Sequence, residues 1–432
     1  MAKYLILGMV LPMTGEGVFY EQGEVAIEDD RIVSVGERGS TPHDFVPERV
    51  LDLRGDVIMP GLINTHTHAA MTMLRGYADD MELMPWLKDK IWPFEAKMTA
   101  EDMYWGSALA LCEMIRTGTT TMVDMYMEEQ ETARAVLEAG TRALLSRGMT
   151  GFDQEGAERA LQENIELFET YHNAGEGRLK VLFGPHAPYT CPADFLQRVK
   201  KEADALGAGI HIHLAETKAE LGIIHERYGL TPPEWLEEVG LFGGQVIAAH
   251  CVYLTAKDIE ILKKYEVSVA HNPESNMKLN SGTAPIPELL KRGVTVGIGT
   301  DGASSNNDLD MFGEMRSASL QQKLVGTPED LKAYRVLEMA TCEGAKVAGL
   351  KDVGKLAPGY KADLISVDFN QPHFYPRFSI PSHLVYCAQG GDVRTVIVDG
   401  RILMEERKLL TLDEKIICRE VEKRAKKIAA QI

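Results

Sequence analysis

The chain has 432 residues, 45% hydrophobic and 25% charged, the balance of an ordinary folded protein. That excludes a disordered chain, a collagen-like fibre and a small disulfide-stapled module. Lys and Arg number 46 against 64 Asp and Glu, a formal charge of −18; so acidic a surface repels phosphate backbones and anionic lipid, so neither nucleic acid nor membrane is expected as a partner.

The N-terminal run Met1 to Gly8 is too short for a secretory signal. No apolar run approaches the ~20 residues of a membrane span. Residues 1–56 read as short strands and turns: Tyr4 to Leu7, Glu24 to Glu28 and Arg31 to Val35, with Asp29-Asp30 turning between the last two. Too little core exists there for independent folding, so a partner is sought at the other end of the chain. Residues 356–432 supply it, with strands at Ala362 to Val367 and Thr395 to Val398. The expectation is a small β-sandwich domain built from both chain ends. A final helix is expected within Leu412 to Ile432, where apolar residues recur near every 3.6 positions.

Residues 57–355 carry eight short apolar runs: Val57 to Met59, Thr120 to Val123, Arg142 to Leu145, Lys180 to Phe183, Gly209 to Ile212, Val246 to Ala249, Val267 to Ala270 and Thr295 to Ile298. Between them lie amphipathic stretches such as Ala100 to Arg116, Ala157 to His172, Ala193 to Leu206 and Thr255 to Tyr265. Buried strands alternating with helices mean a parallel sheet. Eight units are the count of a closed (β/α)8 TIM-like barrel, so the fold class is α/β. An open doubly wound sheet is the alternative. No glycine-rich phosphate fingerprint follows an early strand, which weakens a dinucleotide reading.

Polar residues gather where these runs stop. Run one leads to His66-Thr67-His68, run three to Ser146-Arg147, run four to His186, and run five to His213-Leu214-Ala215-Glu216. Runs six to eight end in His250, His271-Asn272 and Thr300-Asp301. A parallel barrel brings all these ends to one face, where such barrels put their chemistry. His66 and His68, two apart on an extended strand, point to the same side. With His213 and Asp301 they make three imidazoles and a carboxylate, a donor set for one zinc ion per subunit, with Fe2+ or Mn2+ as alternatives. Such an ion acidifies water towards neutral pH, and the reaction then needs a proton carrier. Glu216 is placed to be that acid and base; its other reading is a carboxylate at a helix N-terminus. His250 reads as a hydrogen-bonding partner of the attacking water or leaving amine, or as a core histidine. His211, one step deeper than His213, reads as a packed interior residue. The six cysteines, with no two-residue spacing among them, fit free thiols in a reducing cytoplasm and argue against thiolate ligands.

These residues together resemble the amidohydrolase superfamily. The flanking β-domain fits as well, so the resemblance covers most of the chain. Two-metal members carry a bridging lysine after the fourth strand; here His186 stands near that point and Lys180 begins the run. The resemblance therefore implies a mononuclear site like that of the deaminase branch. The segments Pro60 to His68, His213 to Thr217, His271-Asn272-Pro273 with Ser275 to Leu279, and Gly299 to Gly302 look like the 5'-methylthioadenosine/S-adenosylhomocysteine deaminases. That family hydrolyses the exocyclic amine of an adenosine derivative to ammonia, leaving the inosine counterpart. It implies that Glu216 protonates the ring nitrogen while Asp301 moves the water proton to the amine. It further implies that Glu95 binds the ribose hydroxyls, Arg147 and Arg159 the substrate tail, and His186 the sugar or base. Trp86, Trp92 and the run Met71 to Met84 are candidates for an apolar slot, or for core. The same catalytic shell serves relatives acting on 5'-deoxyadenosine, adenosine, guanine, cytosine or s-triazines. An inactive scaffold is the remaining alternative; a missing ligand would mark it, and none is missing. Family analogy adds a homo-oligomer, dimer or tetramer.

Overall fold

The computed structural model describes residues 3–432; Met1 and Ala2, the start of the short N-terminal run, lie outside them. Two sheets organise the chain. The first is built from both ends: β1 (Lys3–Val10), β2 (Tyr20–Glu28), β3 (Arg31–Glu37) and β4 (Arg49–Pro60) come from the beginning. The second sheet is formed by β5 (Leu62–Thr67), β6 (Thr119–Tyr126), β7 (Arg142–Met149), β8 (Leu179–Val181), β9 (Gly184–Pro185), β10 (Ile210–Leu214), β11 (Val246–His250), β12 (Ser268–His271) and β13 (Val296–Ile298). The chain then returns to the first sheet through β14 (Leu364–Asp368), β15 (Val393–Val398), β16 (Arg401–Glu405) and β17 (Lys408–Leu409).

In the second sheet the order is β10-β11-β12-β13-β5-β6-β7-β8, and every pair along it is parallel. A parallel bridge between Phe183 and Ile210 joins its two edges and closes the barrel. Helices cover the outside, so β5, β6, β10 and β11 are buried at every residue. Burial on both faces explains why the sequence shows apolar runs there instead of alternation. Four inferred helices are present as Ala100–Arg116, Gln154–Tyr171, Ala193–Leu206 and Ala256–Lys264. Thr99 and Thr255 start two of them with reciprocal capping boxes, to Asp102 and Asp258. The inferred C-terminal helix is Glu414–Ala429, and its Arg424 reaches Glu101 and Asp102 on the helix Ala100–Arg116. No helix among the described residues is long and apolar enough to cross a membrane.

One expectation is corrected. The run Val57 to Met59 is not the first barrel strand; it is the last part of β4, paired with β1 and β14 in the end sheet. The barrel begins at Leu62. Gly61 makes the transfer between sheets, because a Cβ there would lie 2.2 Å from the Thr120 side chain. Two buried strands separated by one residue read as a single apolar run, which hid the boundary.

The end sheet is wired to the barrel by a buried guanidinium. Arg142, at the start of β7, donates to Asp363 at 3.0 Å and to Asp399 at 2.8 Å, and its side chain is 4% exposed. Removing one partner from such a cluster strands the others without compensation. Arg142→Met should destabilise the protein by about 3–5 kcal/mol, read as a lowered urea midpoint. Its metal content should not change, because Arg142 lies at the opposite end of the barrel from the histidines.

Candidate metal centre and active site

The strand ends deliver their polar side chains to one place. His66 comes from β5 and His68 follows it, His211 and His213 come from β10, and His250 ends β11. Asp301 follows β13 and bridges in parallel to Thr67. Ala215, His250 and Asp301 hold φ of 52°, 71° and 60°. Left-handed backbone at non-glycine positions is strained, and here it falls where the strands turn out of the barrel into the site.

Each candidate ligand histidine is divided between its two nitrogens. His68 Nδ1 donates to the Met125 carbonyl at 2.5 Å, and His213 Nδ1 donates to the His186 carbonyl at 2.7 Å. A carbonyl only accepts, so both rings carry a proton on Nδ1 and turn Nε2 towards the centre. His66 Nδ1 lies 2.8 Å from His211 Nε2, which has the same effect when His66 donates. Backing of this kind orients metal-ligating imidazoles. The Nε2 atoms converge: His68 to His213 is 3.3 Å, His68 to Asp301 Oδ1 is 3.2 Å, and His66 to Asp301 Oδ1 is 3.4 Å. Donors bonded at ~2.0–2.1 Å to one tetrahedral ion stand about 3.3 Å apart. His66 Nε2 is buried without a hydrogen-bond partner. The residues present therefore fit a single divalent cation.

The electrostatics agree. Burial pushes His66 down to about 3 and His213 well below an ordinary imidazole. Burial also works against charge on His68, but the Asp301 carboxylate overrides it and holds His68 up at about 9. Asp301 stays ionised against its own burial because His66 and His68 face it. Its Oδ2 accepts from Ser275 at 2.6 Å and Ser305 at 3.0 Å, which leaves Oδ1 towards the imidazoles. This carboxylate demands a positive neighbour, a proton on His68 or a cation in its place.

Glu216 stands beside this centre. Glu220 accepts the backbone N–H groups of Ala215 and Glu216, each at 2.9 Å, and so fixes the turn after β10. Burial raises the Glu216 carboxyl above an ordinary glutamate, as suits a group that takes and gives protons. Its Oε1 accepts from Ser281 at 3.1 Å, and its Oε2 lies 3.8 Å from His250 Nε2. His250 Nδ1 donates to Asn276 Oδ1 at 2.9 Å.

A cavity of about 470 Å³ opens from these groups to solvent. Glu95 lines it, half-buried, and accepts from the Tyr126 hydroxyl at 2.5 Å. His186 lines it as well; burial takes its imidazole down to about 4, so it is neutral. Arg147 and Arg159 reach the wall from one side and share Glu163, at 2.8 and 4.0 Å. Arg159 is 66% exposed, so its pair with Glu163 is weak and its donors are free. Met71, Trp86 and Trp92 are wall residues, and Met71 and Trp86 also pack in the core with Met73. Lys180 points away and donates to Asn173, in keeping with a site that has no bridging lysine.

Some partners show only in the structure. His211, a packed interior residue as expected, also lies 2.8 Å from His66 Nδ1 and so backs a candidate ligand. Tyr126 ends β6, and an aromatic at a strand end reads as core. Ser281 lies in a loop, and nothing in its neighbours marks it.

Comparison with known proteins settles the family. A model of the amidohydrolase family matches residues 57–403. The chain belongs to the amidohydrolase family. This amidohydrolase is 68% identical over 429 residues, 99% of both chains, to the 5-methylthioadenosine/S-adenosylhomocysteine deaminase of Desulfitobacterium hafniense strain Y51. It is 49% identical over 425 residues, 98% of this chain and 97% of the other, to the 5'-deoxyadenosine deaminase of Methanosarcina mazei. A solved adenosine deaminase from Xanthomonas campestris with bound zinc is 34% identical, covers 99% of each chain and superposes with a TM-score of 0.95.

The support given by His211 is measurable. His211→Phe should weaken metal binding by about 10–100-fold, read as faster loss of metal during dialysis against a chelator. Unchanged retention would show that His66 needs no backing.

Proposed function

We propose that this amidohydrolase deaminates adenosine derivatives, with 5'-methylthioadenosine and S-adenosylhomocysteine as preferred substrates, releasing ammonia and leaving the inosine counterparts. The carrying observation is the convergence of the His66 and His68 Nε2 atoms on Asp301 beside the buried Glu216, in a chain 68% identical to a deaminase of that name. His66, His68, His213 and Asp301 would hold one zinc ion. The nitrogen and oxygen donor set and the zinc in the Xanthomonas campestris structure support zinc over Fe2+ or Mn2+. When bound, the ion supplies a Lewis acid that acidifies a water at neutral pH.

The chain's own groups do the rest. Glu216 gives a proton to the ring nitrogen next to the carbon that bears the amine. Asp301 takes a proton from the attacking water and passes it to the departing nitrogen. The carbon–nitrogen bond then breaks, ammonia leaves, the water oxygen remains on the ring as a carbonyl, and the second water proton passes from that oxygen to Glu216, which restores the acid. His250, aligned by Asn276, hydrogen-bonds the attacking oxygen. Glu95 accepts from the two ribose hydroxyls, and its bond from Tyr126 fixes the carboxylate plane for that task. His186, neutral, hydrogen-bonds the sugar or base. Arg147 and Arg159 suit an amino-acid carboxylate at the far end of S-adenosylhomocysteine, since a guanidinium fork matches it. The reading extends to a cytoplasmic homo-oligomer, dimer or tetramer; sedimentation analysis reports its size.

The relative named for 5'-deoxyadenosine supports a second reading on that nucleoside. Ammonia release from methylthioadenosine, S-adenosylhomocysteine, 5'-deoxyadenosine, adenosine, guanine and cytosine, with metal content measured alongside, separates these. Faster turnover of free bases than of nucleosides would remove the role of Glu95. Glu216→Gln should keep its metal and lose about 10²–10⁴-fold in kcat; a near-normal rate would end the proton-carrier assignment. Because Glu216 gives its proton and burial lifts its pKa, kcat/KM should hold through the acidic range and fall as pH rises past a point above the pKa of a free glutamate. An alkaline limb that survives unchanged in Glu216→Gln belongs to another group.

A further inference from the structure

One short segment reaches three of the site's groups at once. The helix Pro273–Lys278 and the loop behind it run from Asn272 to Gly282 across the mouths of β10, β11 and β13. Ser275 donates to Asp301, Asn276 accepts from His250, and Ser281 donates to Glu216. Ser275, Asn276 and Ser281 are all buried. The loop is closed on itself by the Ser281 N–H donating to the Asn276 carbonyl at 2.8 Å. Gly282 holds φ at 129°, and a Cβ there would lie 2.9 Å from Val252 and 3.0 Å from the Tyr253 hydroxyl. Only glycine lets the loop press this closely on the turn after β11, and that approach brings Ser281 to Glu216.

We propose that Ser281 is a positioning residue for Glu216, committing Oε1 so that Oε2 is the oxygen that carries the proton. The two carboxylate oxygens are chemically equal until something distinguishes them. Oε1 accepts the Ser281 hydroxyl at 3.1 Å, whereas Oε2 is turned towards His250 Nε2 at 3.8 Å. A carboxylate free to rotate about its last bond would offer either oxygen at a changing distance. Misplacement of a reacting group by about 1 Å costs on the order of 10²-fold in rate. Ser275 treats Asp301 in the same way, occupying Oδ2 and leaving Oδ1 to the imidazoles. The segment thus fixes which oxygen works in both acids, from one main-chain scaffold.

This inference rests on the deaminase reading, and its test separates the two. Wild type, Ser281→Ala, Ser281→Thr, Glu216→Gln and the Ser281→Ala/Glu216→Gln double variant are compared on methylthioadenosine and adenosine, with bound metal measured for each. Ser281→Ala should lose about 10–100-fold in kcat, with KM within about twofold and full metal content. Ser281→Thr, which keeps the hydroxyl, should recover most of the rate. In the Glu216→Gln background the Ser281→Ala change should cost nothing further, because its effect runs through Glu216. Equal losses in both backgrounds, or a wild-type kcat in Ser281→Ala, overturn the inference alone. A wild type that releases no ammonia from any nucleoside overturns the deaminase reading and the inference with it. If Ser281→Ala fails to fold, as its melting transition reports, Ser281→Cys takes its place; it keeps the branching with a somewhat larger atom, donates weakly and should be slow.

Discussion

The structure depends on how imidazole rings are shared between the main chain and an ion. A buried imidazole has two nitrogens and one proton, and leaving either nitrogen unanswered is costly. His68 and His213 answer one nitrogen with carbonyls that no side-chain substitution can remove, those of Met125 and His186. Both carbonyls lie at the mouths of neighbouring strands, so closing the barrel is what aims the ligands. The second nitrogen of His68 is left to face Asp301 and that of His213 to face His68, and the carboxylate binds the group into one electrostatic unit. Closing the barrel and assembling the candidate metal site are the same event here.

Outside that rigid centre the molecule loosens. Trp92 is 37% exposed and Phe152 is 66% exposed, and their rings meet edge to face at 6.4 Å across the mouth of the cavity. Arg147 and Arg159 share that outer region. The groups proposed to break the bond are therefore buried and mutually oriented, while those proposed to meet a substrate's variable tail are wetter and less constrained. Such a division lets relatives with one catalytic centre differ in the nucleoside they prefer.

Much of this was legible in the residues. Apolar runs announce buried parallel strands because both faces are covered, and a candidate site announces itself because imidazole and carboxylate are conspicuous at strand ends. The gathering of His66, His68, His213, Glu216, His250 and Asp301 at one barrel mouth was readable for that reason. The junction at Gly61 was not, since the apolar stretch from Val57 to Ile63 runs across it and only a steric contact with Thr120 marks the break. Ser281 was not either. Its bond to Glu216 depends on how a loop folds back across the barrel mouth, and a serine among turn residues looks like any other. His211 lay between these cases: visible as a histidine, but its role depends on a 2.8 Å approach that strand spacing alone does not give.

The end sheet has a consequence for synthesis. β4 is flanked by β1 on one side and β14 on the other, and β14 is translated roughly 300 residues after β4. At ~5–20 residues per second, a nascent chain carries an unpaired apolar strand edge for about 15–60 s. Bare edges of this kind recruit other chains. Output of folded enzyme should thus be sensitive to slow synonymous codons or pauses placed between the two strands, although such codons leave every amino acid of the candidate site unchanged.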